Sequence, residues 1–79
     1  MGSLSQIRTK NALQAFKKAG FTTVSQKGSH IKMRRILSDG KIQTIIIPNH
    51  PTLKEGTLKN GILKPISMSP DEFIQLLKK

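Results

Sequence analysis

The chain has 79 residues, which is enough for one small domain and too few for two. It carries 14 Lys and Arg against 4 Asp and Glu, for a formal net charge of +10. The absence of cysteine excludes disulfides and thiol nucleophiles. The longest apolar run, Ile45-Ile46-Ile47, is far below the ~18 residues of a membrane span. The excess of positive charge points to nucleic acid, an anionic membrane surface or an acidic protein as partner.

The start of the chain lacks the apolar segment of a signal peptide, so we expect a cytoplasmic protein whose single domain covers residues 1–79. Residues 1–6 are expected to be disordered or a remnant of cloning. The four carboxylates stand in a turn or near helix starts, and no metal site or other cofactor is expected.

A first helix is predicted over residues 9–19, where apolar residues recur at helical spacing. Thr9 is the predicted N-cap, and Gly20 is expected just after the end of the helix. Phe16 and Phe21 then occupy the two positions that touch across a Schellman cap.

From Phe21 the period changes to two, which predicts strands over residues 21–26, 31–37 and 41–47. Asp39-Gly40 predicts a two-residue type I′ hairpin that sets Leu37 opposite Ile42. One face is then expected to pack on helices and to consist of Ile31, Met33, Leu37, Ile42 and Ile46. The other is expected to be open and basic, and to carry His30, Lys32, Arg34, Gln43 and Ile45.

Residues 52–55 match a capping box, with Thr52 as N-cap of a helix that Pro65 ends. Residues 69–72 match a second capping box that opens a final helix, with Met68 and Phe73 at the hydrophobic-staple positions. The order α-β-β-β-α-α predicts an α+β fold, a three-stranded antiparallel sheet with helices on one face.

Residues that can carry chemistry concentrate in Lys27-Gly28-Ser29-His30. The amides around Gly28 can bind a phosphate, Lys27 adds charge, and the imidazole of His30 can act as an acid or a base. An ordinary hairpin turn with an exposed histidine explains the same residues equally well. His50 is a second candidate acid, base or phosphate contact, although a loop histidine bonded to backbone is the more common situation.

The basic residues are spread along the chain, and four acids cannot balance them. With no Trp or Tyr and with all three Phe predicted in the core, base stacking on aromatics is not expected. We therefore expect contact with the RNA backbone. The predicted RNA-binding residues are Lys27, Gly28, Ser29, Lys32, Arg34 and His50.

Five short segments follow one another along the chain: KKAGF at 17–21, which ends the first helix, QKGSH at 26–30, IPNHP at 47–51, GTLKNGILK at 56–64 and EFIQLL at 72–77. Taken in order, they resemble the HicA toxin family, the small ribonuclease toxins of bacterial and archaeal toxin–antitoxin pairs. QKGSH matches the family signature, and the last three segments resemble its VPxH strand end, its GTLRxILK helix and its closing EEFLxLL. Lys59, Gly61, Pro65 and Ser67 depart from the family pattern and leave the length of the second helix open.

The resemblance implies a double-stranded-RNA-binding-domain-like fold and cleavage of mRNA that depends on His30 as catalytic residue. It also implies a HicB-like antitoxin that covers the active surface. The expected activity is a modest, metal-independent endoribonuclease. A non-catalytic RNA-binding module of the same fold is the alternative, and a small protein whose basic surface serves only an acidic partner is a third hypothesis.

Overall fold

A computed structural model describes Leu4 and residues 6–78. The elements in chain order are β1 (Ile7–Arg8), α1 (Thr9–Lys18), β2 (Thr22–Lys27), β3 (His30–Ile36), β4 (Ile42–Pro48), β5 (Thr52–Leu53), a π-helical segment (Thr57–Leu63), a 3-10 turn (Lys64–Ile66) and α2 (Pro70–Lys78). Strands β2, β3 and β4 form an antiparallel sheet in that order. The predicted α+β class with a three-stranded antiparallel sheet is confirmed.

The start of the chain contributes to the fold in a way that the sequence did not indicate. Leu4 is buried in the core, and β1 pairs with β5 in a separate two-stranded sheet. The other residues of the start that was expected to be disordered, 1–3 and 5, lie outside the described residues. Within the described part of the chain, no helix has the length and apolarity that crossing a membrane requires.

Helix α1 begins differently from the prediction. Its N-cap is Arg8, which makes no side-chain capping bond, and Thr9 is the first helical residue. The prediction of Thr9 as N-cap is therefore wrong. Its buried hydroxyl instead donates to the carbonyl of His50, and its amide donates to the carbonyl of Pro51 at 3.2 Å. These bonds tie the start of α1 to the segment that follows β4.

The end of α1 is the predicted Schellman cap. The amide of Gly20 donates to Lys17 and that of Phe21 donates to Phe16, both at 3.0 Å. The rings of Phe16 and Phe21 meet edge to face with centroids 5.7 Å apart. Phe16 also lies 5.0 Å from the ring of Phe73 on α2, so the cap is continuous with the packing between the two helices.

The core fills the space between one face of the sheet and the helices. Its largest fully buried side chains are Phe16, Phe21, Phe73, Met33, Ile47, Leu58, Ile62 and Leu63. At about 25 cal/mol per Å² of apolar surface, each such side chain contributes about 1.5–3 kcal/mol of transfer free energy.

A half-buried arginine on the core side of β3 connects several elements. The guanidinium of Arg35 lies 4.7 Å over the ring of Phe21 and donates to the carbonyl of Ala19 at 2.9 Å. Its Nε donates to Oε1 of Gln43 at 2.8 Å. The amide nitrogen of Gln43 in turn donates to the carbonyl of Ile66 at 3.4 Å. Arg35 therefore stabilises the fold and does not contribute to the basic surface.

The β3–β4 hairpin has a three-residue loop, not the predicted two-residue turn. The amide of Leu37 donates to the carbonyl of Lys41 at 2.8 Å, which leaves residues 38–40 as the loop. Gly40 adopts φ +87°, and the Asp39 carboxylate accepts a bond from the Lys41 amide at 3.0 Å. A type I turn followed by a left-handed residue is the usual form of such loops. The register consequently pairs Ile36 with Ile42.

This shift by one residue reverses the predicted sides of β4, because side chains alternate between the faces of a strand. Met33 lies opposite Ile45, not Ile46. Ile45 and Ile47 are buried in the core, whereas Ile42 and Ile46 are 60% and 43% exposed on the opposite face. The predicted placement of Ile42 and Ile46 in the core, and of Gln43 and Ile45 on the open face, is therefore wrong.

The predicted capping box at residues 52–55 is also wrong, because Thr52 and Leu53 are used in β5. The helical segment that follows is π-helical, and its N-cap, Gly56, makes no side-chain capping bond. The 3-10 turn that contains Pro65 continues it and ends at Ser67, which has φ +56°. Two glycines and the proline thus leave this segment without a regular α-helix.

The capping box of α2 is confirmed. The amide of Ser69 donates to the carboxylate of Glu72 at 3.2 Å, and the amide of Glu72 donates to the hydroxyl of Ser69 at 3.1 Å. Met68 and Phe73, at the staple positions, are both buried.

The loop conformation generates a prediction about stability. Gly40→Ala should lower the free energy of unfolding by about 1–2 kcal/mol, because a Cβ atom is disfavoured at positive φ, although nothing lies within 4 Å of the added atom. Gly56→Ala is the matched control. Gly56 has φ −62° and equally open surroundings, so alanine should there raise stability by about 0.4–1 kcal/mol. Urea unfolding of both variants measures the difference, and equal effects would contradict the loop assignment.

Candidate functional site

The turn between β2 and β3 brings Lys27 and His30 together. These two residues pair across the strands, with Gly28 and Ser29 as the two-residue loop. Gly28 has φ +58°, whereas Ser29 stays outside the left-handed region. This combination is the pattern of a type II′ hairpin turn, which needs glycine at its first central position.

His30 stands at a position where the backbone is held from both sides. It is the first residue of the central strand and pairs with Lys27 on β2 and with Pro48 on β4. The carbonyl of Ser29 accepts a bond from the amide of Asn49 at 2.6 Å, which extends the β3–β4 ladder beyond His30. The His30 side chain itself is exposed. The site therefore combines a fixed backbone with a reachable imidazole.

The open face of the sheet, defined by the even-numbered residues of β3 and β4, carries the charge. His30, Lys32 and Arg34 alternate with the buried Ile31 and Met33, so they share this face, as the strand pattern predicts. Their partners on β4 are Pro48, Ile46 and Thr44. We call His30, Lys32 and Arg34, with Lys27 beside them on β2, the basic strip.

An open depression of about 590 Å³ lies beside His30. Its lining residues are Ser25, Lys27, Gly28, His30, Lys32 and Ile46. Two of them, Ser25 and Ile46, are not among the site residues predicted from the sequence. Ser25 is set opposite Lys32 by a bulge at Val24, and Ile46 reaches this face only in the observed register. The alternation of apolar and polar residues along a strand does not show where a bulge or a longer loop shifts the pairing, so the sequence gives no indication of either feature.

The structure brings some of the predicted site residues together and leaves others apart. Lys27, Gly28, His30 and Lys32 line one depression, and Arg34 follows on the same face. Ser29 supports them from the turn. His50 lines two other depressions, and its carbonyl is bound by Thr9. Its backbone thus has a structural role, although its side chain is exposed.

The charges of the basic strip are available for binding. Among the described residues, the ion pair present joins Lys41 to Asp39 at 4.0 Å in the β3–β4 loop, and none involves Lys27, Lys32 or Arg34. The same residues contain no group of three or more His, Asp or Glu side chains with the arrangement of a metal site. The face presents cations and an imidazole to whatever approaches the sheet.

These features define a small basic α+β domain with an open cationic sheet face and an accessible histidine. The family model for the HicA toxin of bacterial toxin–antitoxin systems matches residues 9–65. Because this match covers more than half of the 79 residues, the chain belongs to the HicA toxin family, as its motifs indicated. Membership implies an antitoxin protein as partner. Comparisons with curated proteins and with solved structures give no match.

The geometry of the basic strip generates a prediction about polyanion binding. The double variant Lys32→Glu with Arg34→Glu should bind single-stranded RNA at least tenfold more weakly. If both residues contact phosphates, the negative slope of log affinity against log salt should become shallower by about 1.4, at ~0.7 per contact. Fluorescence anisotropy across a salt series measures both quantities.

The control variant is Lys17→Glu with Lys64→Glu, which makes the same change in net charge on exposed residues away from the sheet face. It should change the affinity less and leave the slope nearly intact. Equal losses in the two double variants would show that net charge, not the basic strip, governs binding.

Proposed function

We propose that this toxin is an endoribonuclease that cleaves mRNA, and that His30 is its catalytic residue. The observation that carries the proposal is the exposed imidazole at the start of the central strand, within a depression lined by Lys27 and Lys32. An acid–base group needs to be held in place and reached by substrate, and this position provides both conditions.

Phosphate binding is assigned to the basic strip and to the turn. Lys27, Lys32 and Arg34 supply charge, and Gly28 and Ser29 supply backbone amides. In the described part of the chain, the amides of Gly28 and Ser29 donate no backbone hydrogen bond in a turn, loop or cap. Both are therefore available to a phosphate oxygen. These contacts read the RNA backbone and hold it over the imidazole.

His50 is proposed as a peripheral RNA contact. It follows Pro48, the partner of His30, by two residues and is exposed at the same end of the sheet. It lines depressions other than that of His30, which supports a binding role and not a share in the chemistry.

In the proposed step, the imidazole of His30 takes the proton of a ribose 2′-hydroxyl. The 2′-oxygen forms a bond to the adjacent phosphorus, the bond from phosphorus to the 5′-oxygen breaks, and water protonates the leaving oxygen. The products are a 2′,3′-cyclic phosphate and a 5′-hydroxyl end. Lys27 and the turn amides stabilise the charge that develops on the phosphate oxygens. General base catalysis of this kind contributes about 10²–10⁴-fold, which agrees with a modest enzyme.

The proposed setting is the cytoplasm, where mRNA is the accessible polyanion, and the proposed inhibitor is a HicB-like antitoxin. A protein with an acidic surface that covers His30 would block RNA sterically and neutralise the charge that attracts it. The net charge of +10 supports such a partner, because complementary charge makes association fast and sensitive to salt.

His30→Ala should abolish growth arrest and lower RNA cleavage by 10²-fold or more, at the lower end of what an acid–base group supplies. The melting temperature should change by no more than about 2 °C, because an exposed side chain has little burial to lose. Expression in growing cells, RNA cleavage in vitro and thermal unfolding are measured together. His50→Ala is the matched control and should retain most of the activity.

The outcomes separate the hypotheses. Growth arrest by His30→Ala without cleavage would favour a non-catalytic RNA-binding module, and an equal loss in His50→Ala would point to a pair of histidines. An RNA with a 2′-deoxyribose at the cleaved position should resist cleavage, and EDTA should have no effect. Cleavage that leaves a 5′-phosphate would contradict attack by the 2′-hydroxyl.

A further inference from the structure

The open face is not uniformly basic. At the end next to the β3–β4 loop, Ile36 and Ile42 lie directly opposite each other and are 71% and 60% exposed. Val24, which is 44% exposed, lines a depression together with Ile36 and Arg34, but its bulge lies between the partners of Met33 and Lys32, farther along the sheet. We call Ile36 and Ile42 the apolar end. Single exposed apolar residues are ordinary, but two isoleucines that are directly opposite each other and this exposed indicate an interaction surface.

The apolar end is remote from the proposed chemistry. Ile36 follows His30 by six residues of one strand, a separation of about 20 Å at ~3.3 Å per residue. Aliphatic side chains neither bind phosphates nor offer the flat ring on which bases stack. RNA that binds at His30 through its backbone is therefore not expected to contact Ile36 or Ile42.

A second copy of this chain is a poor occupant for the same surface. Arg34 and Lys32 adjoin the apolar end on the open face, and each copy carries a net charge of +10. Face-to-face pairing would bring these like charges together. A partner with aliphatic side chains beside carboxylates would instead cover the apolar end and pair with the two cations. Membership in a toxin–antitoxin family supplies a partner protein that must bind this toxin.

We propose that the apolar end is the anchor of the antitoxin. The antitoxin covers Ile36 and Ile42 with apolar side chains, and an acidic segment continues over Arg34 and Lys32 to mask His30. The masking of His30 rests on the proposed function, whereas the anchor rests on the family and on the exposed isoleucines. It follows that inhibition and catalysis depend on different residues, so substitutions can separate them.

The experiment compares two double variants of the full chain. Ile36→Thr with Ile42→Thr makes the anchor polar, and Ile36→Val with Ile42→Val keeps it apolar. Threonine and valine have nearly the same shape, and both are β-branched residues that favour strands. The pair therefore differs chiefly in replacing a methyl group by a hydroxyl. Antitoxin affinity, RNA cleavage, melting temperature and sedimentation are measured for both.

The threonine variant should bind the purified antitoxin at least tenfold more weakly than the valine variant, while RNA cleavage by the two stays within twofold. In cells, the threonine variant should arrest growth even when the antitoxin is coexpressed. Equal antitoxin affinity of the two variants would overturn the proposal. So would a loss of RNA binding as large as the loss of antitoxin binding, or a self-association that only the valine variant shows.

Failure of the proposed function would give a different result. If His30→Ala still cleaves RNA, the catalytic assignment falls, but the difference in antitoxin affinity between the threonine and valine variants is unaffected. If His30→Ala is inactive and the threonine and valine variants bind the antitoxin equally well, the proposed anchor is wrong and the catalytic assignment is supported.

Discussion

The hydrogen bond between the Leu37 amide and the Lys41 carbonyl determines much of this molecule, because it fixes the length of the β3–β4 loop. A loop of three residues sets the register of the two strands, and the register decides which isoleucines of β4 enter the core. Ile45 and Ile47 complete the packing under the sheet, and Ile42 and Ile46 are left on the face that carries His30. The hydrophobic core and the surface chemistry are thus two results of one turn.

Much of the fold could be predicted where a local pattern has one physical meaning. The Schellman cap after α1 and the capping box of α2 were predicted correctly, because each is decided within a few residues. The face of His30 was also predictable, since alternation along β3 needs no knowledge of its neighbours. Asp39-Gly40, by contrast, suits both a two-residue and a three-residue loop, and only tertiary packing chooses between them. Thr52 likewise suits the N-cap of a helix, and only its pairing with Arg8 of β1 shows that it belongs to strand β5.

The position of the site depends on side chains that play no part in it. Arg35 fixes the core side of β3 through Phe21, Ala19 and Gln43, and the bonds of Thr9 fix the segment after β4. Both residues lie outside the open face. Neither role could be predicted from the sequence, because Arg35 resembles any other surface cation and Thr9 occupies the position of a helix cap. On the same strand as Arg35, Lys32 and Arg34 alternate onto the open face, and neither forms an ion pair within the described part of the chain.

The backbone of His30 is paired on both sides, so it has little freedom to move toward a bound molecule. If His30 is catalytic as proposed, any adaptation needed to place a reactive bond beside the imidazole has to come from the substrate. Unpaired RNA can rotate its backbone at small energetic expense, whereas a base-paired helix cannot without first melting. Under the proposed function, a rigid strand of this kind would select substrates by their flexibility, and the abundance of unstructured mRNA would determine how much damage the toxin does.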